Sequence, residues 1–121
     1  MSGKLILTGV QGSLLGQKFS ILEGESVIVG RSRRCDIVLD SANTNDFSIL
    51  QTDLPYQTIS RQHLKITFHN EMKVELEDLS ANGTWVDNER MEHLYITDIT
   101  TEKHSILLGN REKFILEWEE E

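Results

Sequence analysis

The pattern that most limits what this chain can become is a period of two. From Lys4 onward, short segments rich in Val, Ile, Leu, Phe and Thr alternate apolar and polar residues and end at Gly, Asn or Asp. Successive side chains on a strand point to opposite faces, so each segment can bury one face and wet the other. No stretch carries the 3.6-residue period of a long amphipathic helix. Residues 4–10, 18–22, 26–29, 37–39, 64–68, 73–79, 84–86, 94–99, 105–108 and 114–118 read as strands. Hairpins are expected about Glu23-Gly24-Glu25 and His69-Asn70-Glu71. Further turns fall at residues 12–16, Asp87-Asn88-Glu89 and Gly109-Asn110-Arg111. About ten or eleven strands at this spacing predict an all-β fold, a sandwich of two antiparallel sheets.

The chain holds 121 residues, the size of one domain, and we expect a single domain over 1–121. Residues 41–58 lack a clear period and contain the one proline. They read as a long inserted connection, which Phe47, Ile49, Leu50, Leu54 and Tyr56 would pack down on the body. Apolar runs are far shorter than the roughly 20 residues that span a bilayer. The N-terminal residues lack the features of a secretory signal, so an intracellular protein, cytoplasmic or nuclear, is expected, with no membrane partner. The lone Cys35 reads as a small buried residue. His69, His93 and His104 are scattered, without the sequence spacing of a metal site; no metal or cofactor is expected.

Net charge is −8 and the pI near 4.9, which argues against a general nucleic-acid binder, since that role needs a basic face. The acidic balance makes the arginines informative. Four of the 12 Lys and Arg residues are Arg31, Arg33, Arg34 and Arg61. Arg33 and Arg34 read as a solvated edge. Residues 117–121 read as a solubilising acidic tail, and Trp85 and Trp118 as core or sheet-face residues.

Three motifs lie where a strand runs out into a turn: Gly30-Arg31, Ser60-Arg61-Gln62-His63, and Asn82-Gly83-Thr84. In a sandwich such turns collect at the ends, so the three can meet. Arg31 offers a planar fork of donors suited to two phosphate oxygens. Ser60 adds a hydroxyl, Arg61 a second cation, and Asn82 an amide that can hold a peptide backbone. Simpler roles compete. Arg31 could pair with Asp36 or Asp40, His63 could brace a loop, and Asn82-Gly83 could be a type I′ hairpin turn or, in a secreted chain, a glycosylation acceptor. Ser60, His63 and Asp78 contain the residue types of a hydrolytic triad, but no nucleophile elbow accompanies them, and the chain is not expected to be an enzyme.

Together with Asp78-Leu79-Ser80-Ala81 before Asn82, these motifs resemble the three signature motifs of forkhead-associated (FHA) domains, in the same order and over nearly the whole chain. The resemblance implies two packed sheets that bind phosphothreonine peptides through loops at one end. Arg31 and Ser60 would grip the phosphate, Arg61 would assist, and Asn82 would hold the peptide backbone; Gly30, His63 and Gly83 would shape the loops. It also implies a phosphothreonine-containing protein as partner and a Ser/Thr kinase upstream. The family reads the threonine methyl, a preference worth about 1 kcal/mol. Ala81 stands where the family often has Thr or Ser, which removes one contact. Gln57 and Thr58 fall where the family chooses the side chain after the phosphothreonine, and neither is charged. The alternative within the family is a scaffolding domain that binds through a sheet face independently of phosphate.

Overall fold

The structure, a computed structural model, describes residues 3–39 and 59–120. The connection expected over 41–58, including Gln57 and Thr58, lies outside the described residues, as do Asp40 and Glu121. Eleven strands run through the described part: β1 (Gly3–Gln11), β2 (Lys18–Ile21), β3 (Ser26–Gly30), β4 (Ile37–Val38), β5 (Leu64–Asn70), β6 (Lys73–Asp78), β7 (Thr84–Val86), β8 (Glu89–Met91), β9 (His93–Ile96), β10 (His104–Leu108) and β11 (Glu112–Glu120). They form a six-stranded sheet in the order β2-β1-β11-β10-β7-β8 and a five-stranded sheet in the order β4-β3-β5-β6-β9. No helix among the described residues is long and apolar enough to cross a membrane.

The alternation in the sequence becomes the two faces of each sheet. Leu64, Ile66 and Phe68 of β5 are buried while Lys65 and Thr67 between them are not, and Phe114 and Leu116 of β11 alternate with half-buried Lys113 and Ile115. The inward side chains of both sheets make one core, with Leu5, Leu7, Ile21, Ile106 and Leu116 from one side and Val29, Ile66, Phe68 and Leu76 from the other. Trp118 joins it from the six-stranded sheet, packing edge-on against Phe68 at 5.8 Å.

Three expectations are corrected. Residues 18–22 and 26–29 are not a hairpin: β2 pairs with β1 and β3 with β5, so Glu23-Gly24-Glu25 carries the chain from one sheet to the other. Gly24 N–H donates to the Phe68 carbonyl there, 2.7 Å away. The acidic end is no free tail, because Glu117 to Glu120 continue β11 and pair with β1 as far as Gly3. Residues 89–91 form an additional strand, β8, joined to β7 by a tight turn at Asp87 (φ 51°) and Asn88 (φ 72°). Positive φ at both central residues is the type I′ signature. The two sheets are antiparallel as expected, apart from the pairing of β3 with β4, which is parallel. The chain doubles back within six residues because the Asp36 carboxylate accepts the Ile28 N–H at 2.8 Å and the Leu39 N–H reaches the Gly30 carbonyl at 2.7 Å.

Candidate functional site

Strand direction decides where the three motifs go. The segment after Gly30 leaves the end of β3; β5 is antiparallel to β3, with Val29 opposite Leu64, so the residues before Leu64 lie at that same end. β6 is antiparallel to β5, with Leu64 opposite Asp78, so the residues after Asp78 lie there too. Loops 31–36, 59–63 and 79–83 therefore share one rim of the sandwich.

Backbone hydrogen bonds lock the first two loops together. Arg31 N–H donates to the Ser60 carbonyl (3.1 Å), Ser32 N–H to the Arg61 carbonyl (3.0 Å), and His63 N–H to the Val29 carbonyl (2.9 Å). The approach at Gly30 is so close that a Cβ there would sit 2.2 Å from the Arg61 carbonyl oxygen, which excludes any side chain. The buried Cys35 thiol donates to that same carbonyl at 3.0 Å, and its burial pushes its pKa up.

His63 ties in the third loop. Its ring is fully buried. Nδ1 accepts the Ser60 backbone N–H at 3.1 Å, which makes Nε2 the protonated nitrogen, and Nε2–H donates to the Gly83 carbonyl at 2.8 Å. Burial lowers its pKa, against smaller opposing effects of Gly83 and Asp78. The imidazole is thus a neutral brace between two loops. With both nitrogens spent on backbone, neither serves as a base for the Ser60 hydroxyl, and the triad geometry is not formed.

The chemistry at the rim is directional. Ser60 Oγ accepts the Ala81 N–H at 3.1 Å, which leaves its own proton to donate outward. Arg31 is exposed, and its Nε–H donates to the Ile59 carbonyl at 3.0 Å, so among the described residues the N–H groups of the guanidinium's outer end remain for a ligand. Among the described residues no carboxylate pairs with it; Asp36, the partner weighed from sequence, is engaged by Ile28 instead. Arg61 and Asn82 are exposed on the other two loops of the same rim. Ser32, Arg34, Ser60, Arg61, Gln62 and Leu79 line an open concavity here.

Asn82-Gly83 is not a hairpin turn, since β6 and β7 belong to different sheets. Gly83 holds φ +106°, and a Cβ would stand 2.9 Å from Arg90 Nε. The loop is built on Asp78, Ser80 and Thr84, motif residues to which the sequence assigned no loop-building role. Asp78 Oδ1 accepts from Ser80 N–H (3.0 Å), Ser80 O–H (2.5 Å) and Thr84 O–H (3.0 Å), and Ser80 Oγ accepts the Gly83 N–H (2.8 Å). The signal for it was present as Asp followed two residues later by Ser, an Asx-turn pattern. Ala81 contributes its backbone N–H rather than a side chain.

A family model described as FHA domain matches residues 27–109. No curated protein matches the chain. Among solved structures, the FHA domain of the CT664 protein from Chlamydia trachomatis is 31% identical, with 94% of this chain and 96% of that one covered and a TM-score of 0.67. A structure from work on phosphothreonine-dependent FHA domain interactions is 26% identical, covering 98% of this chain and 99% of that one at a TM-score of 0.68. The FhaA FHA domain in complex with the intracellular domain of Rv3910 is 27% identical, covering 92% and 98%, with a TM-score of 0.61.

Proposed function

The chain belongs to the FHA domain family, and from that premise we propose that it is a phosphothreonine-peptide receptor with no catalytic activity of its own. The observation that carries the reading is the pairing of a guanidinium anchored through its Nε with a serine hydroxyl whose acceptor site is already filled, on two loops bonded to each other. Both groups are left with donors and are pre-positioned, which suits a dianion and lowers the ordering cost of binding. Arg31 and Ser60 take the phosphate, Arg61 adds charge, and Asn82 holds the peptide backbone. His63, Gly30 and Gly83 keep the loops in place. A Ser/Thr kinase acting on the partner adds about −1.5 to −2 charges to the threonine, and the domain turns that event into a contact. The acidic body makes the arginine rim the attractive surface for an anion.

Calorimetric titration tests this with an oriented peptide library in threonine, phosphothreonine and phosphoserine forms. Binding confined to the phosphorylated forms and stronger for phosphothreonine is expected. Arg31→Ala should cost about 2 kcal/mol or more, and Ser60→Ala about 1 to 2 kcal/mol. Binding indifferent to phosphate, or intact in Arg31→Ala, would overturn the reading in favour of a scaffolding role through a sheet face.

A further inference from the structure

The outer face of the five-stranded sheet carries a second cluster, on the strands rather than on the loops of the arginine rim. Glu75 and Glu77 alternate on β6 and so share a face, and the register places His93 of β9 opposite Glu77 and Tyr95 opposite Glu75. His69 joins from β5, at the irregularity where the pairing of β5 with β6 shifts between Phe68 and Asn70. His93 Nε2 lies 2.6 Å from Glu75 Oε2, and His69 Nε2 lies 2.7 Å from Glu75 Oε1. One ligand atom from each of Glu75, Glu77 and His93 falls within 4.8 Å of the other two.

We propose that Glu75, Glu77 and His93 form a binding site for a first-row divalent metal ion of the zinc type, with His69 orienting Glu75 from behind. One imidazole with two carboxylates suits such an ion, whereas magnesium and calcium favour all-oxygen surroundings. Ligand atoms within 4.8 Å of each other lie close to the span of a zinc shell with bonds of roughly 2.0 to 2.2 Å. His93 coordinates through Nε2 as the Nδ1–H tautomer, exchanging its proton with solvent. His69 keeps its Nε2–H on Glu75 Oε1, the arrangement in which a neighbouring hydrogen bond fixes a ligating group. Opposing charge is modest: Lys65 stands opposite Glu77, and Lys73 lies over the Tyr95 ring at 4.8 Å. Three protein ligands leave the ion open to water or to a partner's donor. Because β9 is the edge strand of its sheet among the described residues, an ion here clips that edge to β6.

The test is titration of tag-free protein with zinc chloride by calorimetry, with imidazole nitrogen resonances followed by NMR. One ion per chain is expected, with the His93 and His69 signals moving. His93→Ala and Glu75→Gln should each weaken binding at least about tenfold, and His69→Ala about tenfold. Thermal stabilisation by zinc should vanish in His93→Ala. His104→Ala, in a separate cluster with Asp87 and Asp98, should bind as wild type, and excess magnesium should not compete. Absence of stoichiometric binding, binding unchanged in both His93→Ala and Glu75→Gln, or imidazole shifts confined to His104 would overturn the proposal.

Discussion

Replacing His63 with alanine removes one ring that holds two loops. The Gly83 carbonyl keeps a second donor, the Gly109 N–H at 3.1 Å, so losing the Nε2–H bond costs about 1 kcal/mol. The Ser60 N–H has its partner in Nδ1, and leaving that donor unpaired costs about 1 to 3 kcal/mol. The ring is fully buried, and the cavity adds about 2 kcal/mol, below the range for removing a larger aromatic. The total, about 4 to 6 kcal/mol, is a large share of the 5 to 15 kcal/mol typical of a domain. Urea denaturation at pH 7.5 measures it, and a loss under about 1 kcal/mol would refute the brace. The pH response gives an independent check. Burial holds the folded pKa of His63 below its ordinary value, so below about pH 6.5 the unfolded chain takes up the proton first. The stability tied to the neutral ring is present above that pH and lost as pH falls through the folded pKa. His63→Ala should erase that acid-side decline.

Other outcomes follow from the same geometry. Gly30→Ala should destabilise by about 1 to 3 kcal/mol, because its Cβ would meet the Arg61 carbonyl; the displaced loop should also weaken phosphopeptide binding in calorimetry. His104 bonds Asp87 at 2.5 Å and Asp98 at 2.8 Å. Burial opposes its charge, but the two carboxylates prevail and raise its pKa. Its contribution is present below about pH 6.5 and lost as pH rises through the raised folded pKa, so His104→Gln should flatten the alkaline side of a urea-midpoint profile between pH 6 and 8.5. Glu112 is fully buried, and its carboxylate accepts the Ser13 N–H at 2.9 Å and the Ser13 hydroxyl. Glu112→Ala should cost about 2 to 4 kcal/mol in denaturation while leaving phosphopeptide affinity of the folded protein unchanged, which separates global stability from the rim.

Local pattern was enough to read the strands and the three motifs. Alternation is a property of neighbouring residues, and Ile66-Thr67-Phe68 announces an inward and an outward face without knowledge of any partner. Gly30-Arg31, Ser60-Arg61-Gln62-His63 and Asn82-Gly83 were legible because each sits at a strand end, and strand ends are marked by turn residues. His63 as a loop brace was also legible, as the favoured reading over a base or a metal ligand. The β8 strand was missed because Glu89-Arg90-Met91 has only one apolar residue and gains its order from pairing with β7.

What local pattern could not decide was which strands are neighbours. A glycine turn between two strands looks the same whether it closes a hairpin or crosses between sheets, and Glu23-Gly24-Glu25 crosses. Residues 117–120 read as a tail because charge dominates composition, yet their backbone pairs with β1, and a hydrogen-bond ladder is indifferent to the side chains it carries. The same holds for His69 and His93, scattered in sequence and brought to one carboxylate by the registers of β5, β6 and β9. By itself the sequence determined the strands, the turn residues and the chemistry available at each motif, since these rest on single residues and their nearest neighbours. Only the tertiary structure decided that His63 spends both nitrogens on backbone, that Arg31 anchors through Nε and that Asp78, Ser80 and Thr84 form one network. Hydrogen-bond partners distant in sequence are selected by register and packing, which exist only once the sheets have assembled.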